Sequence, residues 1–161
     1  MINFPFPVEA FTNFLIQAKC HTYASQGDEA TVTPLLPGSK QLEFRDDLLL
    51  YRDIYVGMSY FVGQEIVYYE DQPVWSMSYA GGVTSMVRNL HEISSIYAFL
   101  RVALRQVSVP YPYRGPQSVH EGPYLYTNQS QGALNNFWGQ EVITRDDQQV
   151  YALHYHGGVL R

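Results

Sequence analysis

Cysteine is almost missing from the 161-residue chain: Cys20 stands alone. No intrachain disulfide can form, and a reducing cytoplasm is the simplest setting. Charge is also scarce, with 16% of residues ionisable as Asp, Glu, Lys or Arg and a net charge of −5. No run of Lys or Arg occurs anywhere. A basic face is the usual footprint of nucleic-acid binding, so direct contact with DNA or RNA is disfavoured. No apolar run approaches the roughly 20 residues that span a bilayer, so no membrane partner is expected. The opening stretch MINFPFPVEAF has neither a basic region nor a continuous apolar core, and does not read as a signal peptide. A GxSxG elbow for a serine nucleophile is absent. So is a Gly-rich loop leading into a helix that opens with Lys and Ser or Thr, the pattern of a phosphate cradle. No cofactor is expected.

What the chain has in quantity is tyrosine, 14 residues, within an aromatic fraction of 15%. Tyr combines a large apolar ring with a polar tip, which suits half-buried strands and amphipathic pockets. A hydrophobic content of 46% argues against disorder. The length accommodates one domain, or two interlocked half-domains sharing a core.

The chain also contains nearly the same segment twice. Residues 61–83, FVGQEIVYYEDQPVWSMSYAGGV, align without a gap to residues 137–159, FWGQEVITRDDQQVYALHYHGGV, and 11 of 23 positions are identical. Ordinary residue usage gives roughly one or two matches by chance. One inserted residue carries the alignment upstream, to Leu50-Tyr51 against Leu125-Tyr126 and Gly57 against Gly132.

Helical spacing of Val8, Phe11, Leu15 and Ala18 predicts a helix from Val8 to about Cys20, with Pro7 in its first turn. Ile93, Ile96, Tyr97, Leu100, Leu104 and Val107 predict a second, from about Leu90 to Val107. Asn89 and Glu92 resemble a capping box at its start. Residues 24–40 and VPYPYRGPQ read as loops. Strands are predicted at Gln41–Phe44, Leu48–Tyr55, Tyr60–Tyr69 and Val74–Tyr79. A second set follows at Gln117–His120, Tyr124–Thr127, Phe137–Arg145 and Val150–His156. Asp71-Gln72 and Asp147-Gln148 are placed as the closing turns of hairpins. The implied class is α+β: a single domain, 1–161, of two helix-plus-antiparallel-meander units (about 8–83 and 89–159) related by pseudo-twofold symmetry.

Glu65 and Glu141 recur at matched positions in Tyr-rich, low-charge strands, where an unpaired carboxylate is costly to bury. Two such acids approaching a symmetry axis would bind a cation or raise one another's pKa; the alternative is that each is exposed or bonds its own strand end. A turn at Asp147-Gln148 sets Glu141 across from His154, with His156 on the same face. That trio, Glu141, His154 and His156, has the donor types of an open zinc site. Histidines pairing with Glu or capping a sheet edge are the plainer reading. Arg114, in the aromatic-flanked loop YPYRGPQ, either grips an anionic ligand bidentately or stacks on Tyr111 or Tyr113.

Several of these residues carry a family likeness: Phe14-Leu15 with Ala18-Lys19, Thr22-Tyr23-Ala24, Tyr51-Arg52-Asp53, Phe61-x-Gly63-x-Glu65, Trp75-x-Met77-x-Tyr79, Tyr113-Arg114-Gly115-Pro116 and His156-Gly157-Gly158. In them the chain resembles DUF5680, a bacterial family of unknown function, over almost its whole length. It departs from the pattern at Ser78, where an Asn is expected before the Tyr. Some members resemble the C-terminal part of proteins with an amino-terminal helix-turn-helix, which implies a sensory or ligand-binding role. The resemblance supplies no established activity to carry over to this chain.

The leading expectation is therefore a non-catalytic, small-molecule-binding or sensory domain, with GyrI-like effector-binding domains as a fold-level analogy. Its pocket is expected to use Glu65, Glu141, Trp75, Tyr79, Arg114, Trp138 and Tyr155, since aromatic walls with a few polar groups suit a ligand. The rivals are a metal-assisted hydrolase or isomerase on Glu141, His154 and His156, and a protein-interaction module presenting exposed Tyr residues.

Overall fold

The two tight hairpins of the repeated segment set the register of everything around them. In the first, Glu70 and Asp71 both have positive φ, 48° and 63°; in the second, Asp146 and Asp147 have 49° and 64°. Two consecutive left-handed residues make the hairpin turn whose twist matches that of the flanking strands. Tyr69 therefore pairs with Gln72, and Arg145 with Gln148. A bulge follows each turn, at Val67/Tyr68 and at Ile143/Thr144, and the register moves on by one residue. The turns thus lie one residue before the Asp71-Gln72 and Asp147-Gln148 positions read from sequence. With the bulge, this sets Glu141 across from Leu153, and His154 across from Gln140.

The computed structural model describes residues 7–22 and 30–161. Helix α1 spans Val8–His21 and is followed by strands β1 (Thr31–Val32), β2 (Lys40–Asp46), β3 (Leu49–Gly57), β4 (Tyr60–Tyr69) and β5 (Gln72–Val83). Helix α2 (Leu90–Leu104) leads to β6 (Ser118–Glu121), β7 (Tyr124–Ala133), β8 (Asn136–Arg145) and β9 (Gln148–Val159). These strands join one sheet in the order β1-β2-β3-β4-β5-β9-β8-β7-β6, with every neighbouring pair antiparallel. The class is α+β. The two-residue β1 was not expected from sequence, and α2 stops at Leu104 rather than Val107. The loop read over 24–40 falls partly outside the described residues, at 24–29, as does Tyr23-Ala24.

The seam of the sheet is the β5–β9 pair. Tyr79 lies opposite Tyr155, Trp75 opposite Val159, and Val83 opposite Tyr151. Side chains alternate along each strand, so one face carries Tyr51, Asp53, Glu65, Trp75, Met77 and Tyr79, with Tyr126, Asn128, Glu141, Tyr151, Leu153 and Tyr155 continuing it, all buried. Both helices cover this inner face. On α1, Phe11, Leu15 and Lys19 follow at four-residue intervals and are fully buried; Phe11 and Leu15 each contribute roughly 1.5–3 kcal/mol by leaving water. Phe11 packs on Trp75, while α2 sets Tyr97 against Phe61 and Tyr151 and Phe99 against Tyr124. At the start of α2, Asn89 accepts the His91 N–H at 2.8 Å, but Glu92 pairs with Arg145 instead of completing a capping box. Across the seam, Tyr113 stacks on Phe137 at 3.8 Å and Phe137 on Trp75 at 5.7 Å.

Gly63 and Gly139 sit directly opposite Tyr79 and Tyr155. A Cβ built on either would lie 2.3 Å from the tyrosine it faces. The bare strand lets each ring lie across it and reach the next strand over. Gly139→Ala should therefore push Tyr155 off Asn128 and destabilise the protein by about 1–3 kcal/mol through overpacking. Urea unfolding checks this, and an unchanged midpoint would contradict it.

Candidate site: a buried polar cluster beneath the helices

Among the described residues, five charged side chains lie buried on the inner face: Lys19, Asp53, Glu65, Arg114 and Glu141. Lys19 arrives on the apolar stripe of α1 and pairs with Glu65 Oε2. Its ammonium also sits 5.9 Å from the Tyr51 ring centre and 5.8 Å from that of Trp75. Removal from water pushes the Lys19 pKa down, opposed by the Glu65 carboxylate.

Glu141 is held more completely. Arg114 grips it with two parallel bonds, Nε to Oε2 at 3.2 Å and Nη2 to Oε1 at 2.6 Å. Tyr126 donates to Oε2 at 2.7 Å and Tyr151 to Oε1 at 2.8 Å. Burial, then the neighbouring carboxylate, pushes both phenols well above their ordinary pKa, so they remain neutral donors. The arginine read as a bidentate anion clamp is one, but its anion is this protein's own Glu141. Its guanidinium also lies 5.7 Å from the Tyr79 ring centre, tying the two sides of the seam together.

Asp53 faces Glu65 directly across β3 and β4, and Tyr79 donates to its Oδ1 at 2.6 Å. Burial first, and then the Glu65 charge, push its pKa up from 3.8 to about 7. At the position that aligns with Asp53 in the sequence stands Asn128, whose Oδ1 accepts from Tyr155 at 2.8 Å and whose Nδ2 donates to the Gly115 carbonyl at 2.8 Å. The facing acids are thus Asp53 and Glu65. Glu65 and Glu141 do not share one cation; each has its own, Lys19 or Arg114.

Of the residues singled out in the sequence, Glu65, Glu141, Trp75, Tyr79, Arg114 and Tyr155 are all buried. Trp138 is not among them: it alternates with Phe137, lies opposite His156, and is 51% exposed on the outer face. His154 and His156 are exposed on that face too, so Glu141, His154 and His156 do not converge. The one-residue register difference at the β8–β9 hairpin separates them. Among the described residues, no group of three or more His, Cys, Asp and Glu could hold a metal ion. Surface hollows of about 300 and 440 Å³ lie beside α1 and on the outer face, and none of the five buried charges lines either.

Lys19, Asp53, Tyr126, Asn128 and Tyr151 were not anticipated as site residues. Two signals were available for them: a lysine in phase with Phe11 and Leu15, and an acid-to-amide change between aligned Asp53 and Asn128.

The model of a domain of unknown function, DUF5680, matches residues 53–160, a span that carries Asp53, Glu65, Tyr79, Arg114, Asn128 and Glu141. The chain belongs to this family. No curated protein and no solved structure gives a significant match. No helix among the described residues is long and apolar enough to cross a membrane.

Proposed function

We propose that this DUF5680 chain is a non-catalytic small-molecule-binding or sensory domain. In this reading two copies, about 8–83 and 89–159, fold onto one another around an axis through the β5–β9 seam. The register supports that arrangement, because the aligned residues Tyr79 and Tyr155 fall opposite one another. The near-identical left-handed turns and the bulge after each support it as well. A cytoplasmic setting fits the single thiol of Cys20.

The observation that carries the binding role is the burial of five charged side chains together on one face. Exchanging buried ion pairs for well-packed apolar residues is often neutral, or stabilising by about 1–4 kcal/mol. Stability alone therefore gives little reason to keep Lys19, Asp53, Glu65, Arg114 and Glu141 there, whereas a recognition site does. Aromatic walls from Tyr51, Trp75, Tyr79 and Phe137 surround the charges, as in ligand sites.

A thermal-shift screen across metabolites and metals tests this, run on the wild type and on Glu65→Gln, with circular dichroism confirming that the variant is folded. At least one small molecule should raise the wild-type midpoint and lose its effect in the variant. A screen with no response, or one unchanged in folded Glu65→Gln, would reject the site.

A further inference from the structure

The two matched glutamates differ in how fully they are bonded. Glu141 takes donors on both oxygens, from Arg114, Tyr126 and Tyr151. Glu65, equally buried, takes Lys19 on Oε2, while its Oε1 has no hydrogen-bond partner. Trp75 holds the position aligned with Tyr151, and its indole Nε1 has no hydrogen-bond partner either. Both side chains are fully buried. An acceptor and a donor of this kind left unmade each forfeit the full desolvation penalty, and buried polar groups in native proteins are rarely left so.

The unbonded atoms belong to neighbouring side chains. Glu65 pairs with Met77 and Val67 with Trp75, so Glu65 and Trp75 are diagonal neighbours on one face of β4 and β5. The Cα atoms of such neighbours sit roughly 7–8 Å apart, and long side chains on them come within reach of one another, so one small planar molecule with a donor and an acceptor is able to bond to both. Lys19 already offsets the Glu65 charge, so the complementary guest is neutral. It must offer an N–H or O–H to Glu65 Oε1 and an oxygen to the Trp75 indole, with a flat body suited to the surrounding rings.

We propose that Glu65 and Trp75 form a recognition site for a small neutral primary carboxamide, its NH₂ donating to Glu65 Oε1 and its carbonyl accepting from Trp75 Nε1. This deepens the binding role above and rests on it. The second copy is closed to the same guest, because Tyr151 already occupies Glu141 Oε1.

The chain has only two tryptophans, Trp75 and Trp138, so its indole N–H signals can be assigned with one variant. Isotope-labelled protein is titrated with acetamide through the millimolar range, and Trp75→Phe identifies the Trp75 signal. That signal should shift saturably while the Trp138 signal stays in place. N,N-Dimethylacetamide, which lacks the N–H donor, should leave both unmoved. Trp75→Tyr, which installs the residue found in the second copy, should remain folded and show no acetamide-dependent change in melting temperature. An unmoved Trp75 indole, an equal response to the dimethyl compound, or exchange with a bound water only would overturn the inference. A metabolite responding in the broad screen but sparing the Trp75 signal would overturn it while leaving the general binding role standing.

Discussion

Arg114→Leu is expected to lower the unfolding free energy by about 3–5 kcal/mol, because it strands a buried carboxylate. Glu141 is fully buried, and Arg114 supplies both its cation and two of its hydrogen bonds. Tyr126 and Tyr151 would remain as donors, yet neutral phenols do not replace a guanidinium in a low-dielectric site. For a chain of this length the loss corresponds to roughly 10 °C in melting temperature. Removing the charge as well, in Arg114→Leu with Glu141→Gln, should recover part of it. Urea unfolding of both variants measures this. A loss below about 1 kcal/mol for the single variant is what an exposed pair would give, and would show that the pair is not desolvated in solution.

The second large effect is one of pH. Asp53 titrates near 3.8 when unfolded and near 7 when folded. Between those values the native chain keeps a proton that the unfolded chain has released, so stability falls as pH rises through the window and levels off above it. The contribution is fully present below about pH 4 and lost by about pH 8, and the shift of about three pH units sets its ceiling near 4 kcal/mol. Asp53→Asn removes the titration yet keeps an oxygen for the Tyr79 hydroxyl, as Asn128 does for Tyr155. The variant should be the more stable protein at pH 8 and should show a flatter profile between pH 4 and 8. A profile as steep as the wild type would move the titrating group elsewhere. So would a variant less stable than wild type at pH 8.

Periodicity and turn chemistry made the elements legible: the helix starts at Val8 and Leu90 and the four long strands of the repeated segment fall where the residue pattern puts them. The alignment also pointed to Glu65 and Glu141. Two things escaped it. The turn uses Glu70-Asp71 and Asp146-Asp147 in left-handed conformation, a geometry more typical of Asn or Gly, and a bulge then adds a residue. A slip of one position in a strand exchanges its two faces. That is why His154 and His156 seemed to join Glu141, and a similar misassignment of face put Trp138 in the pocket. The second omission was Lys19. A basic residue in the last turn of a helix reads as a favourable partner for the helix dipole. Its phase with Phe11 and Leu15 is the signal that it points inward; its partner Glu65 lies on β4, beyond three intervening strands in the chain.

The chain order of the sheet has a consequence for how the molecule is made. Strand β9 lies between β5 and β8, inside the sheet, although it follows both of them in the chain. Until residues 148–159 leave the ribosome, β5 and β8 each present an open row of amide and carbonyl groups, and another nascent chain is free to dock there.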